Sequence, residues 1–172
     1  MFSRDPLGQP EPLIERVYSY VAYRVGPGAD AEDIASTTFE RAVRYRESYD
    51  PAKGTPLAWV LGIARRCVDE AFANRRPTFP LQEEAAAGDL EAETADRLEL
   101  EAALACLDGD AMELLSLRYG ADLSAKRIAE VLDSTPGAVR VALHRAHTKL
   151  REALEAGGEE TSEPPVQAGA AP

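Results

Sequence analysis

The sequence predicts an all-α protein with two small helical domains joined by a flexible acidic linker. Apolar residues recur at helical spacing through most of the 172 residues, and no segment has the strict alternation typical of a strand. This periodicity is lost around Pro77 and Pro80, in a stretch rich in carboxylates. Near the C-terminus, two helical segments flank a short turn, which indicates a helix-turn-helix. The expected boundaries are a first domain at 11–76, the linker at 77–96, the helix-turn-helix domain at 97–156 and a disordered tail at 157–172.

Three helices are predicted in the N-terminal domain from their apolar periodicity and their end signals. The first ends in the Gly-Pro-Gly sequence at 26–28. The second begins with Asp30 as its N-cap residue, and the third with Thr55 as N-cap and Pro56 in the first turn. The expected core residues are Leu13, Ile14, Val17, Val21 and Val25 in the first helix, Ile34, Ala35, Phe39, Ala42 and Val43 in the second, and Leu57, Leu61, Ala64, Val68 and Phe72 in the third.

The C-terminal domain is predicted to contain four helices, the last two forming the helix-turn-helix. Asp110 and Glu113 form a variant of the capping box at the second of these helices. Ser124 caps the third, and Thr135 followed by Pro136 starts the fourth. The main residues expected in this second core are Leu100, Leu104, Leu107, Leu114, Leu115, Leu117, Ile128, Val131, Leu132, Val139, Leu143, Ala146, Leu150 and Leu154.

The last predicted helix is basic although the chain is acidic. The formal net charge is -11, yet no acidic residue occurs between Pro136 and Arg151. The basic side chains of this helix are Arg140, His144, Arg145, His147, Lys149 and Arg151. Such a helix within a helix-turn-helix indicates a local anionic partner, most naturally DNA. The alternative is a solvated basic face on an ordinary helical hairpin.

Other classes of function are disfavoured by the sequence. No apolar run approaches the ~20 residues that span a bilayer, and the first residues lack the apolar core of a signal peptide. We therefore expect a soluble cytoplasmic protein and not an integral membrane protein. Cys67 and Cys106 have no metal-ligand spacing, His144 and His147 have no third ligand nearby, and the carboxylates at positions 30, 32 and 33 are explained by helix capping. We expect no cofactor, no metal and no enzymatic activity.

Two segments resemble a known family, in that family's order and spacing. DAEDIASTTFERAVRYRESYDPAKGTPLAWVLGIARR, residues 30–66, resembles region two of bacterial sigma factors of the extracytoplasmic-function (ECF) subfamily in the sigma-70 family. Residues 104–154, with the sequences LSLRY, RIAEVL and GAVRVALHRAHTKLR, resemble region four. The resemblance implies a factor that binds core RNA polymerase, directs it to promoters and helps to open the DNA. A polymerase-independent helix-turn-helix regulator is the alternative.

The resemblance also implies where polymerase binds. In the family, the second helix of region two docks on a coiled coil of the beta-prime subunit, and region four holds the beta flap. Here the docking surface is the outer stripe of the second helix, which contains Asp33, Thr37, Glu40, Arg41 and Arg44. This chain has Ser36-Thr37 where the family commonly has Gln-Glu, so we expect some of these contacts to differ. Family members are often held inactive by an anti-sigma factor, which is a further candidate partner.

The family reads the minus-ten element with the loop before the third helix and with that helix itself. Here these are residues 47–55 and 56–76. The candidate contacts to bases and phosphates are Tyr49, Lys53, Arg65, Arg66, Asn74 and Arg75. A tyrosine suits this role because stacking on an unpaired base contributes ~1–3 kcal/mol. Trp59 is either a stacking platform or, as we favour, a core residue.

The family reads the minus-thirty-five element with the last helix. Groove contacts are expected from Thr135, Gly137, Arg140, Val141 and His144, and phosphate contacts from Arg145, Lys149 and Arg151. Where the family commonly has Thr, Ser and Arg, this helix has Ala138, Val141 and Ala142, and region four opens with Leu107-Asp108 where the family commonly has Leu-Pro. Because polar groups are lost from the DNA face, we expect the isolated domain to bind DNA weakly.

The acidic balance has two interpretations. A net charge of -11 repels the free protein from DNA at long range. The linker carboxylates Glu83, Glu84, Asp89, Glu91 and Glu93 either occupy basic nucleic-acid channels of polymerase or merely keep a spacer soluble. The sequence does not decide between these two roles.

Overall fold

The computed structural model of the protein describes residues 5–74 and 91–160, with side chains described from 97 to 157 in the second range. Its helices are α1 (Pro10–Val25), α2 (Ala29–Tyr45), α3 (Pro56–Asn74), α4 (Glu91–Ala105), α5 (Gly109–Leu115), α6 (Ala125–Leu132) and α7 (Pro136–Glu160). A 3-10 turn follows α2 at Arg46–Ser48, and a π-helical turn follows α5 at Ser116–Gly120. Neither described range contains a strand, so the all-α prediction is confirmed there.

Helices α1, α2 and α3 form the first domain and pack against one another. Helix α1 ends at Val25, before the C-cap residue Gly26, whose φ of 89° favours glycine. Helix α3 begins where Thr55 Oγ1 accepts a hydrogen bond from the Ala58 amide at 3.3 Å. The predicted cap of α2 is wrong. That helix begins at Ala29 with Gly28 as N-cap, because the chain turns at Gly28 with φ 124° before Asp30 is reached.

Helices α4 to α7 form the second domain, in which α7 contacts the other three. The caps of α6 and α7 are as predicted: Ser124 Oγ accepts from the Arg127 amide at 3.4 Å, and Thr135 Oγ1 accepts from the Ala138 amide at 3.2 Å. The predicted capping box of α5 is wrong. Asp108 is the N-cap there and accepts from the Ala111 amide at 2.8 Å.

Two helices extend beyond the predicted domain boundaries. Helix α4 begins at Glu91, inside the segment predicted as linker, and α7 continues to Glu160, inside the segment predicted as a disordered tail. The remaining parts of those two segments lie outside the described residues.

Several predicted core residues are exposed because each helix buries only one stripe. Ile14, Val43, Phe72 and Leu100 are 48%, 53%, 42% and 43% exposed. Ile14 and Val43 each follow a buried residue in the chain, and one step around a helix turns a side chain by about 100°. Tyr20 is fully buried instead, on the stripe of α1 that faces the second domain.

The two domains share one apolar core, whereas the sequence predicts a core for each. Buried residues of α1 and α3, such as Val17 and Leu61, form one cluster with Leu117 and Ile128 of the second domain. The π-helical turn packs on α1, and α6 packs on α3. A separate small cluster lies between α5 and α7, where Ala111, Leu115 and Ala146 are buried. The helix-turn-helix therefore lies directly against the first domain.

Candidate nucleic-acid and polymerase interfaces

The N-terminal half of α7 is held by its apolar face and presents its other face to solvent. Val139, Leu143 and Ala146 are 2%, 8% and 2% exposed and fix the helix against the rest of the domain. The exposed residues on the opposite side are Thr135, Gly137, Arg140, Val141, His144 and Arg145. The geometry is that of a helix-turn-helix whose recognition helix is anchored from behind and open in front.

In the C-terminal half of α7, two of the basic side chains have partners within the domain, which the sequence does not predict. Lys149 Nζ forms an ion pair with Asp108, the cap of α5. This ion pair and, to a smaller extent, the hydrogen bond from the Ala111 amide hold the pKa of the Asp108 carboxyl below its usual value. His147 Nε2 lies 2.8 Å from the Tyr119 hydroxyl. Arg151 remains exposed. Lys149 therefore ties α7 to α5 within the domain.

The predicted polymerase-docking stripe of α2 is mostly open to solvent. Asp33, Glu40 and Arg44 are exposed and Thr37 is half-buried. Arg41 differs, because its two Nη atoms donate to the Glu70 carboxylate on α3 at 2.8 and 2.6 Å. This pairing lowers the pKa of Glu70 and turns Arg41 towards the α2–α3 contact.

The loop before α3 is ordered by its own polar groups. The Tyr49 hydroxyl donates to the Gly54 carbonyl at 3.0 Å, and burial raises the pKa of that hydroxyl. The Tyr49 ring centroid is 5.6 Å from that of Trp59, whose half-buried side chain packs against the shared core. Lys53 is exposed on the turn that Asp50 closes. Tyr49 is thus the outer member of an aromatic pair.

The candidate residues of α3 differ in their surroundings. Arg66 and Asn74 are exposed, and Arg75 lies outside the described residues. Arg65 is directed into the second domain, where its Nε donates to Glu113 Oε1 at 2.7 Å and its Nη1 lies 3.5 Å from the Val131 carbonyl oxygen. In this arrangement Arg65 bridges the two domains.

Glu113 of α5 is the centre of an interdomain polar cluster that the sequence does not predict. Its carboxylate accepts from the Tyr20 hydroxyl at 2.9 Å and from Arg65, and Arg24 Nη1 lies 3.4 Å away. Its side chain is only 12% exposed and that of Arg24 only 8%. Burial and, to a smaller extent, the negative charge of Glu113 raise the pKa of Tyr20. The Tyr20 hydroxyl therefore keeps its proton and donates it to Glu113 in a hydrogen bond.

A sequence signal for this cluster existed but was ambiguous. Tyr20 and Arg24 are four residues apart and therefore share one face of α1. Their partner is 93 residues away from Tyr20, and local spacing at Glu113 resembles a capping box. Only the packing of the domains shows that Glu113 is the partner of Tyr20 and not a capping-box residue.

The described residues contain neither a candidate metal site nor a candidate membrane-spanning helix. Within the residues that the structure describes, no group of three or more His, Cys, Asp or Glu side chains is placed to hold a metal ion. No helix in the same ranges has the length and apolar character required to cross a membrane.

Comparisons with known proteins agree with this geometry. The sequence model of Sigma-70 region 2 matches residues 11–78, and that of Sigma-70, region 4 matches residues 97–150. ECF RNA polymerase sigma factor BldN of Streptomyces coelicolor is 31% identical over 81% of this chain, which spans 56% of that protein's length. RNA polymerase sigma factor CarQ of Myxococcus xanthus is 32% identical over 81% of this chain and 83% of its own length. ECF RNA polymerase sigma factor SigD of Mycobacterium tuberculosis is 34% identical over 91% of this chain and 78% of its own length.

Two solved structures share the fold. CnrH in complex with the cytosolic domain of CnrY has a TM-score of 0.58 at 23% identity and covers 84% of this chain and 81% of CnrH. The sigma factor RpoE of Bartonella quintana, in complex with the anti-sigma factor NepR, has a TM-score of 0.58 at 19% identity and covers 83% of this chain and 92% of RpoE. At these identities the likeness concerns the fold alone.

Two helical domains, one carrying an open recognition helix, define a promoter-recognition factor rather than a free-standing helical hairpin. The identities and coverage above make the assignment specific. The chain belongs to the ECF sigma factors of the sigma-70 family, which bind core RNA polymerase and direct it to promoters at transcription initiation.

Proposed function

We propose that α7 reads the minus-thirty-five element from the major groove, with Thr135, Gly137, Arg140, Val141 and His144 at the base edges. The observation that carries this proposal is the exposed leading half of α7, anchored by buried Val139 and Leu143. Arg145 and Arg151 contact phosphates, which position the helix. Lys149 contributes by fixing α7 to α5 through Asp108 and reaches DNA only if that ion pair is released.

Region two reads the minus-ten element in the single-stranded state. Tyr49 presents an aromatic face beside Trp59, and exposed Lys53 and Arg66, which follow Tyr49 in the chain, supply positive charge. Asn74 at the end of α3, with Arg65 and Arg75, completes the proposed contact set. Capture of unstacked bases by this surface assists promoter opening.

The outer face of α2 is the proposed site for the beta-prime coiled coil. Exposed Asp33, Glu40 and Arg44, with half-buried Thr37, give it a pattern of mixed charge that suits a specific polar interface. Arg41 positions this face by bridging to Glu70 on α3. Region four binds the beta flap.

The wider setting follows from the family. We place region two at 11–76 and region four at 97–156. Glu91 and Glu93 belong to α4, so the linker carboxylates proposed to lie in basic channels of polymerase are Glu83, Glu84 and Asp89. The protein acts in the cytoplasm, has no catalytic activity of its own and binds DNA weakly outside the holoenzyme, because its net charge of -11 opposes long-range attraction. RpoE of similar fold is seen in complex with the anti-sigma factor NepR, which supports an anti-sigma factor as a further partner here.

Run-off transcription with cognate core polymerase and genomic fragments tests the proposal. The protein should stimulate discrete promoter-dependent transcripts, and Arg140→Ala should reduce them about tenfold, because one specific base contact contributes about 1–3 kcal/mol. Arg97→Ala on α4, which removes an arginine paired with Glu101, is the matched control and should leave the transcripts unchanged. The absence of any promoter-dependent transcript would contradict the assignment.

Pulldown of core polymerase tests the docking surface separately. Glu40→Arg should weaken capture of core enzyme, whereas the same charge reversal at Glu101, on α4 outside the proposed surface, should not. Equal capture by both variants would place the polymerase contact elsewhere.

A further inference from the structure

The arrangement of the two domains is incompatible with reading a promoter. Helix α6 of the helix-turn-helix packs on α3, and Arg65 of α3 lies within 3.5 Å of the Val131 carbonyl of α6. The minus-ten and minus-thirty-five elements are about 25 base pairs apart, or about 85 Å of duplex at about 3.4 Å per base pair. Two domains in direct contact cannot lie on both elements, so the described conformation is a closed state that must open.

The closed state is held by a carboxylate among three donors. Glu113 accepts hydrogen bonds from Tyr20 and Arg65, and Arg24 lies 3.4 Å from the same carboxylate while donating to the Gly109 carbonyl at 3.0 Å. The Glu113 side chain is 12% exposed, so water competes little for it. Separation of the domains removes all of these donors from the carboxylate at once.

A steric contact beside this cluster is equally specific to the closed state. Gly120 of the π-helical turn lies so close to α1 that a Cβ atom there would be 2.9 Å from Tyr20 Cα and 3.0 Å from the Ser19 carbonyl oxygen. The atoms nearest to it all belong to the first domain. Only glycine permits this approach of the two backbones.

We propose that Glu113 is an interdomain latch: it closes the free protein and, by occupying Arg65, withholds that guanidinium from promoter DNA until polymerase separates the domains. A carboxylate and a DNA phosphate are both anionic acceptors for the Arg65 fork, so the two compete directly for it. The latch itself depends only on the domain contacts, whereas the competition rests on the proposed minus-ten role of Arg65.

Energy transfer between dyes on the free full-length protein tests the latch without polymerase or promoter. One dye is placed on Cys106, which is exposed in the second domain, and the other on Ser36→Cys, on exposed α2, while Cys67 is buried. Glu113→Gln keeps the side-chain size but removes the charge, and should increase the open population about tenfold, the effect expected from losing charged hydrogen bonds. Glu101→Gln, the same change on α4, should keep wild-type transfer.

Gly120→Ala provides a second and chemically unrelated route to the open state. Its added methyl group collides with the α1 backbone and should also lower the transfer, while far-ultraviolet circular dichroism verifies that helicity is retained. Wild-type transfer in both Glu113→Gln and Gly120→Ala, with helicity retained, would overturn the latch.

The competition for Arg65 is tested with a DNA fragment whose minus-ten strand is unpaired. Both opening variants should bind it about tenfold more tightly than the wild type, and Arg65→Gln in either background should remove that gain. Lower energy transfer without tighter DNA binding would show that Glu113 does not withhold Arg65 from DNA. The same result would still support the role of Glu113 in holding the two domains together.

Discussion

Two cations that the sequence assigns to nucleic acid, Arg65 and Lys149, are held by carboxylates of the chain itself. Arg65 is paired with Glu113 across 48 positions in the sequence, and Lys149 with Asp108 across 41. A long basic side chain takes the nearest anionic acceptor that packing provides. Other basic residues of these two helices, Arg66 of α3 and Arg140 of α7, stay exposed and have no ion pair with a carboxylate within the described part of the chain.

Val141 is expected to contact a thymine methyl group in the minus-thirty-five element. It is an apolar side chain, 53% exposed, among polar neighbours on the groove-facing side of α7, and thymine alone offers a methyl group in the major groove. Thymines of the minus-thirty-five element are replaced by uracil one at a time. At the thymine that Val141 contacts, the replacement should weaken holoenzyme binding about fourfold, since burial of one methyl-sized group contributes ~0.8 kcal/mol.

The matched control for that contact is the exposed valine of α2. The loss caused by uracil should disappear in Val141→Ala and persist in Val43→Ala, whose valine is also 53% exposed. A uracil effect of the same size in Val141→Ala would exclude Val141 as the methyl contact. Binding can be measured by fluorescence anisotropy of labelled promoter fragments.

Acidification should remove the stabilising effect of Asp108. Lys149 and the Ala111 amide lower the pKa of this carboxyl in the folded state, so its contribution is fully present above the unfolded pKa, about 3.9, and is lost as pH falls through the folded pKa. Asp108→Asn keeps a capping side chain but not the charge. It should have a lower Tm than the wild type at pH 7, and the gap should narrow steadily below about pH 4. A gap independent of pH would contradict the charge-based account.

At the level of single helices, a capping residue in the sequence identifies the start of a helix only where the conformation of the preceding turn does not shift that start. Thr55, Ser124 and Thr135 each stand directly before a helix and cap it as predicted. In α2 the turn at Gly28 starts the helix before Asp30, and in α5 Asp108 acts before Asp110. Helix existence was therefore predictable, whereas the exact cap depended on the loop conformation.

The cap of the recognition helix should matter for its stability. Thr135→Ala removes the acceptor of the Ala138 amide and should lower the free energy of unfolding by about 1 kcal/mol. Thr148→Ala is the matched control, since Thr148 lies inside α7 and bonds back to the His144 carbonyl, a contact with little net benefit in a helix. Urea unfolding of both variants measures the difference, and equal losses would contradict the capping role.

At the scale of the whole molecule, the sequence identifies the two domains but not their association. The buried stripes of α1, α3 and α7 could be predicted from the spacing of apolar residues, and the family from the order of its motifs along the chain. The shared core was not, since Leu117 and Ile128 complete a core begun by Val17 and Leu61, and Tyr20 and Glu113 meet only through that packing. Arg65 consequently has a different partner in the free protein from the one its motif implies.

A shared core predicts a single cooperative unfolding transition for the free protein. Because the larger cluster contains residues of both domains, neither domain keeps its apolar surface buried when the other unfolds. Calorimetry should show one transition in the wild type and two in Gly120→Ala, where the domain contact is disrupted. Two resolved transitions in the wild type would contradict the shared core.

The burial of Tyr20 has a practical consequence. The chain has six tyrosines, and free tyrosine ionises near pH 10 with a change in ultraviolet absorbance. Tyr20 resists ionisation only while it is buried against the second domain, where its hydroxyl donates to Glu113. Tyr49 also has a raised pKa, but its loop lies within the first domain. We therefore expect a change in the number of late-titrating phenols between the wild type and Glu113→Gln to report the association of the two domains in unlabelled protein.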